Sequence, residues 1–391
     1  MIVNLYYFWR LLKGSTMRVN ELLRLMVERD ASDLHIKAER PPGLRINGLL
    51  LPLEDTPPLT PEDTEDFVNE ITTDEQKAIF DAENELDFAY IVPNLSRFRV
   101  NIFKQRNSLG AVLRVIPIEI RTIKELNLPQ AAMENVLVEL AMKPRGLVLV
   151  VGPTGHGKST TLAAIIDHIN STQQKHIMTI EDPIEFWHED KMSYVNQREV
   201  GRDTESFHSA LKYVLRQDPD VILVGELRDL DTIAAAVTAA ETGHLVLSTL
   251  HTTSAAQTVD RIIDIYPAEQ QNQIRMQLSM TLQGVLAQTL LPRRDGKGRV
   301  LAMEIMVATS AIRSLIREGK THQLPLQIQT SAEVGMQTLD QALRTLYVEG
   351  LITRETAMEV ANNPDELMRM LRESRPSMSV SSQRVEKRRR A

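Results

Sequence analysis

A glycine-rich stretch near the middle of the chain has the residues and spacing of a phosphate-binding loop. In order, it consists of Gly152, Pro153, Thr154, Gly155, His156, Gly157, Lys158, Ser159 and Thr160. Glycines let the backbone curl so that successive N–H groups point at phosphate oxygens. A lysine at this spacing reaches the β- and γ-phosphates, and the adjacent serine hydroxyl ligates Mg²⁺. The stretch therefore predicts a site for ATP and Mg²⁺ with Ser159 as the metal ligand; an ordinary glycine-rich turn is the alternative.

The flanking sequence places this stretch where such a loop must lie. Residues 147–151 are an apolar run that predicts a strand, and residues 161–169 are rich in Ala, Ile and Leu and predict a helix. The positive N-terminal end of that helix would face the phosphates. The strand–loop–helix context turns the pattern into a specific prediction.

Carboxylates that follow other apolar runs are the candidates for handling water and metal. Glu226 follows the run at residues 221–224, so we expect it to orient or activate the attacking water; a solvated strand end is the alternative. Gly225 stands where such strands usually carry a metal-side Asp. Support for Mg²⁺ must then come from elsewhere, and Glu181 and Asp182, at the end of the preceding strand, are the candidates, acting through water.

Two histidines bracket the next predicted strand. His244 precedes it and His251 follows it. Histidines beside a nucleotide site could sense the γ-phosphate or connect to a neighbouring subunit. A neutral imidazole also serves commonly as a hydrogen-bonded packing group, so that interpretation stays open.

Composition limits the class of protein. The chain has 391 residues, 42% of them hydrophobic and 25% charged, which indicates a globular protein with room for two or three domains. The formal net charge of −7 gives no general reason to expect a nucleic-acid partner. The absence of cysteine excludes disulfides and thiolate metal sites.

Periodicity and turn residues divide the chain into five segments. We expect residues 1–16 to be an apolar, aromatic extension that is too short to span a bilayer. It could contact a membrane surface, or it could result from a start codon upstream of the true one. Residues 17–116 predict an α+β domain with an antiparallel sheet, and residues 117–129 a linker. Residues 130–372 alternate strands and helices as in a parallel sheet, with a mostly helical end. Residues 373–391 predict a disordered basic tail.

One long segment after the second histidine reads as helix. Residues 268–290 have a long helical pattern, and Gly296 and Gly298 mark a turn before a strand at residues 300–307.

Several blocks of sequence together resemble the hexameric ATPases of the type II/type IV secretion superfamily, and within it the pilus retraction motors. Beyond the phosphate-binding loop, the resemblance rests on residues 32–36, 97–99, 179–185, 216–229, 240–252, 311–318 and 335–340. It covers roughly residues 17 to 371, and the blocks together make it highly specific.

The resemblance implies a fold, an assembly and a role. The fold is α/β, with a PAS-like N-terminal domain followed by a RecA-like P-loop ATPase domain. The assembly is a cytoplasmic homohexamer, peripheral at the inner membrane, that acts on an inner-membrane pilus platform protein and the pilus machinery. ATP hydrolysis would drive pilus retraction and twitching motility, with Glu226 as the catalytic glutamate. Arg99 and Arg114 of the first domain would reach the phosphates, as guanidinium geometry allows; surface charge on a sheet is their alternative role.

Two residues depart from the family's pattern. His156 stands where a small residue, often Ser, is usual, and Ser314 replaces the usual Asn of the retraction motif. The lack of cysteine disfavours the extension motors and type II secretion ATPases, which usually carry a four-cysteine zinc site. The remaining alternatives are an accessory retraction or assembly ATPase of the same superfamily, an ATP-driven nucleic-acid translocase, and an ATP-binding regulator without turnover.

Overall fold

The computed structural model describes residues 19–373, apart from residues 47, 54–55, 94, 117–118, 127 and 129–130. The chain divides into two compact units, and the boundary between them in the sequence lies between Glu119 and Ile120. That boundary falls inside the segment predicted as a linker. The predicted extension at residues 1–16 and the predicted tail beyond residue 373 lie outside the described residues.

The first unit is a six-stranded antiparallel sheet with helices. Its helices are α1 (Val19–Glu28), α2 (Pro61–Ile71) and α3 (Asp74–Glu83). Its strands are β1 (Asp33–Lys37), β2 (Gly43–Ile46), β3 (Leu49–Pro52), β4 (Glu85–Val92), β5 (Ser96–Gln105) and β6 (Ser108–Ile116), in the order β3-β2-β1-β6-β5-β4. Thr60 caps α2 and Pro61 takes its first position, as the sequence predicts. The strands β3 and β4 were not predicted.

Strand alternation decides which side chains of this sheet face outward. In β5, Phe98, Val100 and Ile102 are completely buried and belong to the core of the unit. Because successive side chains of a strand point to opposite faces, Arg99 lies on the other face. It is paired across the ladder with Arg114 of β6, which places both predicted arginines side by side.

The second unit is a seven-stranded sheet covered by helices on both faces. Its strands are β7 (Gly146–Val151), β8 (His176–Glu181), β9 (Tyr194–Glu199), β10 (Val221–Val224), β11 (Leu245–Leu250), β12 (Leu282–Pro292) and β13 (Arg299–Val307). Their order is β13-β12-β7-β11-β10-β8-β9, and only the β12–β13 pair is antiparallel.

Eleven helices accompany this sheet in the described residues. They are α4 (Ala131–Ala141), α5 (Lys158–Thr172), α6 (Phe207–Val214), α7 (Leu230–Glu241), α8 (Ala255–Asp264), α9 (Gln271–Thr281), α10 (Ser310–Arg317), α11 (Leu324–Thr330), α12 (Leu339–Val348), α13 (Arg354–Val360) and α14 (Pro364–Glu373). No helix in the described part of the chain is long and apolar enough to cross a membrane.

The central strand β7 contributes side chains to two hydrophobic cores. Leu147, Leu149 and Val151 pack into one cluster, whereas Val148 and Val150 pack into the other on the opposite face. All six residues of the strand are buried, which is typical of a parallel sheet covered on both sides. This double anchorage fixes the position at which the glycine-rich loop leaves the sheet.

The helix predicted over residues 268–290 is wrong in its second half. Helix α9 ends at Thr281, and the chain continues directly as β12 from Leu282. Side chains of β12 are buried on both faces of the sheet, Val285 and Ala287 in one core cluster and Leu286 in the other, so the segment shows no clear alternation. A strand buried on both faces cannot be distinguished from a buried helix by periodicity.

Candidate nucleotide-binding and hydrolysis site

Four parallel strands bring the predicted chemistry to one edge of the second unit. The neighbours β7, β11, β10 and β8 end at the glycine-rich loop, His251, Glu226 and Glu181, respectively. Because parallel strands share an edge for their carboxyl ends, these groups converge there although they lie far apart in sequence.

Glycine is required at the loop's two ends by local geometry. Gly152 has φ 145°, and a Cβ there would lie 2.4 Å from the carbonyl oxygen of Gln288 on β12. Gly157, with φ 84°, is the N-cap of α5. Left-handed backbone of this kind is available to glycine at little cost. The loop can therefore pass close to β12 and still present its N–H groups at the start of a helix.

The loop lysine lies over the loop itself. Lys158 Nζ donates to the carbonyl oxygens of Gly152, at 2.8 Å, and Pro153, at 3.1 Å. Burial lowers the pKa of Lys158, and the negative charges of Glu226 and Glu185 oppose that shift. A half-buried ammonium beside a curled backbone is suited to phosphate oxygens.

Glu226 is held by two side chains. Its Oε1 accepts from Arg228 Nε at 2.7 Å and from His251 Nε2 at 3.1 Å. The other ring nitrogen, His251 Nδ1, lies 3.5 Å from Thr154 Oγ1 of the loop. A carboxylate only accepts hydrogen bonds, so Nε2 donates a proton to Glu226, while Nδ1 faces the hydroxyl of Thr154. His251 thereby connects the phosphate loop to Glu226.

The surroundings keep Glu226 ionised. Burial would raise the pKa of Glu226, but the hydrogen bond and charge of Arg228, followed by those of His251, outweigh it, so the pKa lies below its ordinary value. Both contacts use Oε1, so neither Arg228 nor His251 occupies Oε2. An ionised, oriented carboxylate next to a phosphate site is what a water-activating group requires.

A small cavity lies between the start of α5 and the strand ends. It has a volume of about 40 Å³ and is lined by Ser159, Leu162, Ala163, Glu181, Phe186, His188, Leu223, Gly225 and Thr249. Glu181 Oε1 accepts from Thr179 Oγ1 at 2.7 Å and from Gln197 Nε2 at 3.2 Å. Burial nevertheless raises the pKa of Glu181 to about 7.

These residues fit the way proteins hold Mg²⁺. Ser159 and Glu181 line the same cavity, which is large enough for ordered water. Mg²⁺ keeps several waters and takes only one or two protein ligands besides nucleotide phosphates. Within the described ranges, no group of three or more His, Cys, Asp or Glu side chains could hold a metal by itself, so the phosphates would have to complete the set.

Three predicted site residues lie elsewhere. His244 is at the opposite end of β11, where its Nδ1 donates to Ala239 O at 2.9 Å and lies 3.2 Å from Thr242 Oγ1. Within this chain, His244 therefore does not join the loop and Glu226. Arg99 and Arg114 belong to the first unit, where they pair with Asp87, at 3.4 Å, and Asp33, at 2.8 Å.

The structure adds residues that sequence reasoning did not assign to the site. Arg228 lies two residues beyond Glu226, so its proximity was a usable signal. Gln197 comes from β9 and is brought to Glu181 only by the β8–β9 pairing. His188, buried beside the cavity, and Arg299, which donates to Gly155 O at 3.1 Å, gave no local signal.

Comparison with known proteins finds relatives that match most of the chain. The chain is 51% identical to "Type IV pilus retractation ATPase PilT" of Pseudomonas aeruginosa over 89% of this chain and 99% of that protein. It is 46% identical to "Type IV pilus ATPase PilU" of the same organism, over 91% of this chain and 92% of that protein.

A solved structure extends the similarity to the fold. The structure described as "Crystal Structure of the Pilus Retraction Motor PilT and Bound ADP" matches with a TM-score of 0.82 and 49% identity, covering 89% of this chain and 98% of that one. The expected α/β architecture, an N-terminal domain followed by a RecA-like ATPase domain, is thereby confirmed, as is the ATPase class. Since the family model described as "Type II/IV secretion system protein" matches residues 15–369, the chain belongs to that family.

Proposed function

We propose that this chain is the ATP-hydrolysing subunit of a homohexameric motor that drives type IV pilus retraction. The observation that carries the proposal is the convergence of the phosphate loop, His251 and Glu226 at one sheet edge, with His251 bridging the other two groups. The relatives named as pilus retraction ATPases support the biological role.

The chain's own groups suggest a division of labour in hydrolysis. The loop N–H groups and Lys158 bind the phosphates, and Ser159, with Glu181 through water, would hold Mg²⁺. When bound, that ion neutralises charge that develops on the phosphate oxygens. Glu226 Oε2 takes a proton from the attacking water, while Arg228 and His251 fix the carboxylate through Oε1.

Arg99 and Arg114 are assigned to a neighbouring subunit's nucleotide. They are adjacent on the outer face of the first unit's sheet, and their side chains are 43% and 65% exposed. Each is paired with an aspartate. The Arg99–Asp87 pair is exposed, so its opening costs little in water. Asp33 is buried, but it keeps contacts with Arg45 and Ser32 when Arg114 moves away. His244, at the edge of the sheet away from Glu226, is assigned to subunit contact in the same ring.

The assembly is proposed to work in the cytoplasm at the inner membrane, on a pilus platform protein and without nucleic acid. An accessory retraction role is the second candidate, favoured by the 46% identity to PilU. Residues 311–318, which match the retraction motif, and the higher identity to PilT favour the primary motor.

The test is Mg²⁺-dependent ATP hydrolysis measured against protein concentration, with particle mass determined in the same samples. Turnover that rises as hexamers form supports a site shared between subunits. Full turnover by monomers contradicts the ring, and hexamers without turnover favour the regulator. Complementation of a strain that lacks its retraction ATPases then separates the two motor roles, because an accessory motor restores twitching only together with a primary one.

A further inference from the structure

The strand β12 contacts the glycine-rich loop at its start and at its tip. At its start, Gly152 passes so close to the carbonyl of Gln288 that no side chain fits, and Gln288 Nε2 donates to Thr161 Oγ1 at 2.9 Å. At its tip, the backbone N–H of Leu290 donates to His156 Nδ1 at 3.2 Å. The second attachment depends on the one loop residue that departs from the family's usual small side chain.

The contact fixes the protonation of His156. A backbone N–H can only donate, so Nδ1 must be the unprotonated nitrogen, and the ring is neutral with its proton on Nε2. Burial, and then the positive charges of Arg299 and Lys158, lower the pKa of His156, which favours that neutral ring near pH 7.

A second contact holds the loop tip from the adjacent strand. Arg299 Nη1, at the start of β13, donates to Gly155 O at 3.1 Å. Arg299 pairs with Pro292 at the end of β12, so both contacts originate at the same end of the β12–β13 hairpin. Gly155 and His156 are thus each hydrogen-bonded to one of two neighbouring strands.

We propose that His156 is a positioning residue for nucleotide binding, which pins the tip of the phosphate loop to β12 through the N–H of Leu290. The proposal rests on the proposed nucleotide site. Serine is too short to make this bond, so a chain with the usual small residue would hold its loop by fewer contacts. A loop already ordered in its binding conformation loses less entropy when ADP binds.

The test is a binding titration of the assembled chain with a fluorescent ADP analogue. One neutral hydrogen bond contributes about 0.5–1.5 kcal/mol, so His156→Ser should weaken ADP affinity about two- to twelvefold. His156→Asn should recover most of that loss, because Asn Oδ1 is as many bonds from the backbone as His Nδ1. The exposed His322 supplies the control, and His322→Ala should bind as the unaltered chain does.

Steady-state kinetics should show that His156 affects nucleotide binding and not the chemical step. If His156 organises the loop without touching the reacting atoms, the KM for ATP rises in His156→Ser while kcat stays close to that of the unaltered chain. A fall in kcat with an unchanged KM would overturn the positioning role.

Amide hydrogen exchange measures the hydrogen bond between Leu290 and His156 directly. The amide of Leu290 should exchange faster in His156→Ser, and at its original rate in His156→Asn. Unchanged ADP affinity in His156→Ser overturns the proposal. So does a Leu290 amide that exchanges, in the unaltered chain, at the rate of an open loop. This second measurement needs no variant, so it decides even if a variant fails to fold. Lys158→Ala tests the site separately: if it still binds ADP tightly, the proposed nucleotide site fails, not His156 alone.

Discussion

Replacement of Glu226 by glutamine separates proton acceptance from every other role of that side chain. Both observed contacts, from Arg228 Nε at 2.7 Å and His251 Nε2 at 3.1 Å, are accepted by Oε1. Glutamine keeps an accepting Oε1 in the same place, but its amide cannot take a proton from water. The substitution therefore preserves the geometry that connects the strand end to the phosphate loop.

The expected loss follows from the role of a general base. A positioned base contributes about 10²–10⁴-fold to rate, so kcat for Glu226→Gln should fall by about that factor. Nucleotide affinity should change little, because the phosphate-binding groups are elsewhere. The Arg228 side chain is 68% exposed, so loss of its ionic partner should cost less than about 1 kcal/mol of stability.

The assay is Mg²⁺-dependent ATP hydrolysis, with affinity for a fluorescent ADP analogue and particle mass measured on the same preparation. Glu269→Gln, an exposed site in the turn before α9, is the matched control and should behave as the unaltered chain does. If kcat of Glu226→Gln falls by no more than about threefold, the loss is far smaller than a general base contributes. That result would remove Glu226 from the role.

Three further substitutions test the surrounding structure. Gly152→Ala should abolish ADP binding in the titration, since its Cβ would meet the Gln288 carbonyl; retained affinity would contradict the close approach. Glu181 has its folded pKa raised from 4.5 to about 7, so its contribution to stability is full below pH 4.5 and lost as pH rises through about 7. Glu181→Gln, without Mg²⁺ and nucleotide, should therefore raise the Tm by several degrees at pH 8 and hardly at pH 4.5; equal shifts would contradict the buried charge. Arg313 donates to the carbonyls of Ser279, at 2.8 Å, and Met280, at 2.9 Å, so Arg313→Met should lower stability by about 1–3 kcal/mol in chemical unfolding, and an unchanged midpoint would contradict this cap on α9.

The two histidines show how far sequence reasoning reached at the site. Residues His244 and His251 looked equivalent as flanks of one strand. At about 3.3 Å per residue, however, the strand separates them by roughly 20 Å and sends them to opposite sheet edges. Only His251 reaches Glu226, and His244 is bonded within its own turn.

The sequence by itself was enough to predict the phosphate loop and the role of Glu226, because each lies in a contiguous pattern whose chemistry depends on residue type and spacing. The family and its α/β fold also followed from such patterns. Tertiary structure alone decided that residues 282–292 form a strand, because burial on both faces erases the alternation that would reveal it. It also decided that His156 meets Leu290, since a hydrogen bond between residues so distant in sequence exists only once β12 lies beside β7.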